Sequence, residues 1–256
     1  MQSAAQLEYV SRAMADKGWA VLEDVFPEAA LANVLNEIKH LVASDDVDLY
    51  HDADGQLRRM EQFTRRSTTF TQMNDAVLAL LHETLSESFS LFKDKYNFKP
   101  PGGEGFFPHY DGIFRFPSSD GRIKDGWYEY APEFISVLVA VDAFTPYNGA
   151  LEIAPADSGD FESLLARTLA DGTPHLLPSY AEKLQFEQIA IRRGGIAIFR
   201  HTCPHRSGVN RSTDPRGSIY WTYNPSRYGN HYEQYFIDKR GSTSPSKALS
   251  GDRFEG

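Results

Sequence analysis

A histidine and an aspartate stand two residues apart in Gly105-Phe-Phe-Pro-His-Tyr-Asp-Gly112, and this pair, His109 and Asp111, constrains the chain more than any other stretch. On an extended strand, residues i and i+2 project from one face. An imidazole and a carboxylate aimed at one point can grip a divalent metal, but two ligands do not complete a site. The fold must therefore bring a third group from elsewhere. Candidates lie almost a hundred residues on, in Gly194-Gly-Ile-Ala-Ile-Phe-Arg-His-Thr-Cys-Pro-His-Arg-Ser-Gly208, which holds His201 and His205. Two further ligands would close the site. One further histidine gives two imidazoles and a carboxylate with three positions open, the facial set of non-heme Fe(II) oxygenases. In a chain with 8 histidines a His-x-Asp pair also arises by chance, and most such pairs sit at the surface or in hydrogen bonds.

Composition narrows the partners. The 256 residues suit one larger domain, with helices over about 3–92, a barrel over about 93–224 and a tail over 225–256. A net charge of −9 offers no basic field to nucleic acid. No apolar run approaches the length that spans a membrane, and the N-terminus lacks the basic start and apolar segment of a signal peptide. The single cysteine, Cys203, excludes an intrachain disulfide and reads as a structural thiol. The expectation is a cytoplasmic monomer or homodimer acting on a small molecule, without nucleic-acid or membrane partners.

The order of elements points to the architecture. Residues 3–17 read as a helix with Leu7, Val10 and Met14 on one stripe, followed by a strand over 19–26. Pro27 opens a second helix whose buried face includes Leu31, Val34 and Ile38. Residues 44–60 are polar, do not match an EF-hand spacing, and read as a solvated loop. Asn74 reads as the cap of a third helix running to about Phe92. From Lys93 the pattern changes to short strands: 93–99, 106–111, 134–142, 150–153, 186–191, 196–199 and 218–223. Residues 112–132 form a long loop after the pair, and loops of that length are often functional. Helices first and strands afterwards imply a mainly β protein with flanking helices. A double-stranded β-helix, or jelly-roll barrel, lets distant strands meet at one mouth.

Several stretches together resemble the phytanoyl-CoA dioxygenase family of Fe(II)/2-oxoglutarate oxygenases, over most of the chain. They are Asn97-Phe-Lys-Pro-Pro-Gly before His109-Tyr-Asp111, Asp142 with Pro146-Tyr-Asn-Gly-Ala-Leu-Glu-Ile-Ala-Pro155, and Gly194-Gly-Ile-Ala-Ile-Phe199 followed by His205-Arg-Ser-Gly and Arg216. The resemblance implies Fe(II) held by His109, Asp111 and His205, with 2-oxoglutarate and O2 as co-substrates. In the family the distal histidine follows the glycine strand by eleven residues and precedes an arginine by eleven, which fits His205 and leaves His201 as a neighbour. Arg216 would meet the far carboxylate of 2-oxoglutarate bidentately. Asn97, Ser207 and, by strand parity, Lys95 are further co-substrate candidates. Because Asp111 is kept where related halogenases carry a small residue, hydroxylation is implied, with release of succinate and CO2. Desaturation, cyclisation, epimerisation or a non-enzymatic sensor are the rival readings.

Substrate contacts are expected from Gln62, Arg115, Trp127, Tyr128 and Tyr228. Lys95-Tyr-Asn-Phe-Lys-Pro-Pro-Gly-Gly and Tyr232-Glu-Gln-Tyr-Phe-Ile-Asp-Lys-Arg240 are similar to 2-aminoethylphosphonate-hydroxylase-like members. That similarity implies a small polar molecule such as an amine, amino acid, phosphonate or natural-product intermediate.

Overall fold

The computed structural model describes residues 2–44, 46–118 and 121–241. In chain order the first elements are α1 (Ala4–Asp16), β1 (Trp19–Leu22), α2 (Glu28–Val42), β2 (Asp48–His51), β3 (Leu57–Glu61), α3 (Thr68–Leu85) and β4 (Phe89–Lys99). Then come β5 (Phe106–His109), β6 (Phe116–Pro117), β7 (Ile123–Lys124), β8 (Ile135–Ala140), β9 (Leu151–Ile153), α4 (Phe161–Leu165) and α5 (Pro178–Ala181). The last are β10 (Glu187–Gln188), β11 (Ile196–Arg200), β12 (His205–Ser207), β13 (Arg216–Pro225) and α6 (Tyr232–Gly241).

Two antiparallel sheets make the jelly roll. The larger runs β1-β11-β8-β13-β4-β3-β2 and the smaller β10-β9-β12-β5. Strand alternation sends Val137, Val139, Ile219 and Trp221 to one face of the large sheet. There they form a core with Val10, Leu31, Val34 and Phe70 of α1 to α3. Leu138, Ala140 and Phe199 face the other way and pack with Leu151 and Ile153 of the small sheet. β8 is buried on both faces, which is why its sequence is an unbroken apolar run. Each such side chain contributes roughly 1.5–3 kcal/mol by leaving water, so apolar burial holds the layers together.

The inner face of the large sheet changes character towards one end. Lys93, Lys95, Asn97 and Lys99 alternate along β4 opposite Thr222, Tyr220, Ser218 and Arg216 of β13. From this polar strip Lys99 reaches Ser207 of the small sheet.

Three expectations need correction. The third helix starts at Thr68 and ends at Leu85, where Ser86 turns left-handed, and Phe89 belongs to β4. Asn74 does not cap it; it lies buried inside the helix and accepts a hydrogen bond from the Tyr223 hydroxyl at 3.0 Å. Tertiary packing of Phe70 against Phe63, with ring centroids 4.6 Å apart, outweighs the weak helix propensity of Thr68 and Thr69. The polar stretch 44–60 is not a solvated loop throughout. Its β2–β3 hairpin extends the large sheet, with Arg59 paired to Asn97 of β4. Within the expected tail over 225–256 the structure places α6, and residues 242–256 lie outside the described residues.

Asp94 ties these added pieces together. It is fully buried on the helix side of β4 and accepts from the backbone N–H of Gln62 at 2.8 Å and of Thr64 at 2.7 Å. The Tyr232 hydroxyl of α6 adds a third bond at 3.0 Å. Removing a charged acceptor strands buried donors, at about 1–3 kcal/mol each. Asp94→Ala is expected to lower the unfolding free energy by about 3 kcal/mol in urea melts, and a loss under about 1 kcal/mol would contradict this anchoring.

Candidate active site

The β5–β12 register sets His205 directly opposite His109. Cross-strand partners face each other closely, and the two imidazole centroids are 4.1 Å apart. Asp111 lies just past β5, fixed by its N–H to the His201 carbonyl at 3.2 Å. Ligating atoms of His109, Asp111 and His205 all come within 4.8 Å of one another. The approach of the strands requires Gly105, because a Cβ there would sit 2.0 Å from the Ser207 carbonyl oxygen.

Hydrogen bonds orient all three groups. Nδ1–H of His109 donates to the Phe107 carbonyl at 2.7 Å, and Nδ1–H of His205 to the Cys203 carbonyl at 3.0 Å. Each ring thus presents Nε2 to the centre. Ser136 Oγ donates to Asp111 Oδ2 at 2.8 Å, leaving Oδ1 to accept elsewhere. Burial pushes both histidines below the usual range, and for His109 the neighbouring His205 adds to it. Burial alone would raise the Asp111 carboxyl, but His205, Lys95 and His109 outweigh it and hold it well below the usual carboxylate range. Two neutral imidazoles and one carboxylate are the donors that a divalent metal requires, so the residues fit a ferrous ion.

His201 does not join them. Its Nε2 faces the Tyr128 hydroxyl at 3.0 Å and its Nδ1 the backbone of Phe134, and burial lowers it to about 4. Cys203 is a buried free thiol, raised to about 12 by burial.

A cavity of about 150 Å³ is lined among others by Asn97, Lys99, Arg59 and Arg216, and it shares Arg59 and Phe106 with the smaller cavity that His109 and Asp111 line. Arg216 is buried over the Phe144 ring, with its Cζ 3.9 Å from the centroid. Its Nε and Nη1 have no hydrogen-bond partner, nor do Asn97 Oδ1 and Ser218 Oγ on the facing strand pair. Buried polar atoms are nearly always satisfied within a fold, so a row of such atoms fits a polar ligand such as a dicarboxylate. Asp142 braces the arginine by accepting from the Gly217 N–H at 2.7 Å. A side chain at 217 would collide with the Tyr96 hydroxyl.

The other expected co-substrate residues fall differently. Ser207 Oγ accepts from Lys99 Nζ at 3.1 Å, and Lys99 also donates to the Gly149 and Gly208 carbonyls. Ser207 therefore helps to hold β12 in place. Lys95 lines a second cavity, of about 60 Å³, with His109 and Asp111 and apart from Arg216. Of the five expected substrate contacts, Trp127 alone lines that cavity. Gln62 bonds Asp48, Arg115 pairs with Asp125 and Glu162, Tyr128 bonds His201, and Tyr228 lies at the surface. Arg59, Lys93, Tyr235 and Lys239 line the cavity too and were overlooked. Strand parity with Lys95 and Asn97 would have found Lys93 and Lys99. Nothing local marks Arg59 or Lys239.

The profile of the phytanoyl-CoA dioxygenase (PhyH) family matches residues 14–218. The methylphosphonate hydroxylase of Gimesia maris is 31% identical over 173 residues, covering 67% of this chain and 59% of that protein. The 2-aminoethylphosphonate dioxygenase of an uncultured bacterium is 31% identical over 182 residues, covering 71% and 62%. The chain thus spans about three fifths of the length of these two relatives. Among solved structures, EctD from S. alaskensis with bound Fe superposes with a TM-score of 0.64 at 19% identity, covering 89% of this chain and 78% of that one. The nogalamycin-biosynthesis epimerase SnoN gives 0.64 at 17%, covering 88% and 84%. Both share the fold.

Glu61, buried beneath the second cavity, pairs with Arg59 at 3.5 Å and with Lys239 of α6. Burial alone would raise its carboxyl, but Lys239, Arg59 and Lys93 together hold it at about 2. A carboxylate lowered by folding stabilises the fold above its unfolded value and loses that contribution as pH falls through the folded one. Glu61→Gln is therefore expected to flatten the pH dependence of urea unfolding between about 4.5 and about 2. An unchanged slope would show that this pair does not fasten α6.

Proposed function

Because the chain belongs to the phytanoyl-CoA dioxygenase family, we propose that it is an Fe(II)- and 2-oxoglutarate-dependent dioxygenase that hydroxylates a C–H bond of a small polar molecule in a reducing cytoplasm. The observation that carries this reading is the convergence of His109, Asp111 and His205 within 4.8 Å, together with a buried guanidinium at Arg216 whose Nε and Nη1 have no partner.

His109, Asp111 and His205 hold the metal. Arg216 receives the far carboxylate of 2-oxoglutarate through its unused N–H donors, with Asn97 and Ser218 on the same strand pair lining its path. Bound iron and 2-oxoglutarate supply the oxidising power, with one atom of O2 going to the substrate carbon, the other to succinate, and the keto acid losing CO2. The protein fixes the rest. Nδ1–H bonds keep both imidazoles in the ligating tautomer, and Ser136 restrains Asp111. Lys99 locks β12 to β4, so that His205 and Arg216 keep a fixed separation. Retention of a carboxylate at 111 supports hydroxylation over halogen transfer. The phosphonate-acting relatives are consistent with a small polar substrate.

With Fe(II), 2-oxoglutarate and O2 the chain is expected to release succinate, and His109→Ala to abolish release. Arg216→Ala is expected to raise half-saturating 2-oxoglutarate at least tenfold while iron affinity changes by less than about twofold, in line with loss of a charge-assisted bond worth about 1.5–3 kcal/mol. An unchanged 2-oxoglutarate requirement would overturn the arginine's role.

A further inference from the structure

Four cations line the walls of the small cavity beside the triad: Arg59 from β3, Lys93 and Lys95 from β4, and Lys239 from α6. One carboxylate outside the triad, Glu61, answers them, and it is engaged by Lys239 and Arg59. Lys93 and Lys95 make no hydrogen bond or ion pair among the described residues. Each is half-buried and rests on an aromatic face, Lys93 4.4 Å from the Trp127 ring and Lys95 4.6 Å from that of Tyr220. Alternation along one strand points both ammonium groups to the same side.

We infer that Lys93 and Lys95 form the anion-binding floor of the substrate cavity, and that the substrate is a short molecule headed by a phosphonate or phosphate dianion and carrying no amino group. This rests on the dioxygenase reading above and narrows its substrate. Asp111 and Glu61 act on these two ammonium groups at a distance without a direct contact, and two adjacent cations held so in a confined site call for a compact dianion, since a single carboxylate would leave one of them unanswered. A substrate ammonium would enter among four cations and meet no free carboxylate outside the triad. Glu61 is occupied, and the Trp127, Tyr235 and Tyr220 faces suited to cradle a cation already carry Lys93 and Lys95. Size sets the chain length. The cavity, about 60 Å³, is under half of the roughly 150 Å³ that holds a benzene ring, which leaves room for the head and one or two carbons. The reactive C–H then lies beside His109 and Asp111, which line the same cavity.

The test uses the chain loaded with Fe(II) and 2-oxoglutarate under nitrogen, titrated calorimetrically with methylphosphonate, methyl phosphate and 2-aminoethylphosphonate. The two methyl compounds are expected to bind, and 2-aminoethylphosphonate at least tenfold more weakly. Lys93→Met and Lys95→Met are each expected to weaken methylphosphonate at least tenfold, and Lys93→Arg to restore most of the loss, which separates charge from folding. Admitting air then identifies the source of the head group, because succinate release should rise with the compound that presents the reactive carbon. A chain that fails to take up Fe(II) and 2-oxoglutarate sinks the dioxygenase reading itself. Normal uptake with no methylphosphonate binding, equal binding of 2-aminoethylphosphonate, indifference to Lys93→Met, or stimulation by neither methyl compound overturns the dianion site alone.

Discussion

The pairing of β5 with β12 is the constraint on which the molecule's chemistry depends. Side chains alternate with a period of two, so a slip of one residue would swing His205 to the opposite face. The register is held from several sides. The absence of a side chain at Gly105 lets the backbones meet, Lys99 grips Ser207 and the Gly208 carbonyl, and β9 pairs with β12 on its other edge. None of these contacts touches the centre of the site, yet each fixes where an imidazole points.

The two faces of the large sheet divide the work. The helix-facing side of the large sheet is apolar and confers bulk stability. The end of its inner face is polar, with desolvated lysines that the fold tolerates at a cost. Burial lowers Lys95 to about 8, and Lys93 falls well below its ordinary range. Groups held in such disfavoured states mark functional sites more often than structural ones.

Much of this was legible in the chain. The spacing of His109 and Asp111 suggested a metal pair that the family resemblance made specific, and the barrel followed from helices preceding many short strands. Choosing His205 over His201 rested on the intervals of the family it resembles, and the physical reason lies in the β12 register and in the contacts of His201 with Tyr128 and Phe134. The β2–β3 hairpin was illegible for another reason. Arg59 and Glu61 face inward, so its inner face is as polar as its outer one, and the alternation that betrays a strand disappears. Lys239 lies on a helix with little amphipathic contrast, and its partner Glu61 is remote in sequence.

The place of β13 in the sheet bears on how the protein is made. It lies between β8 and β4, although both emerge from the ribosome long before it. Until the ribosome has passed residue 225, the nascent chain carries two bare hydrogen-bonding edges where the finished protein has none. Unpaired edges of that kind invite association with neighbouring chains, and lysines are a common natural deterrent. Lys93 and Lys95 stand on β4, one of those two edges.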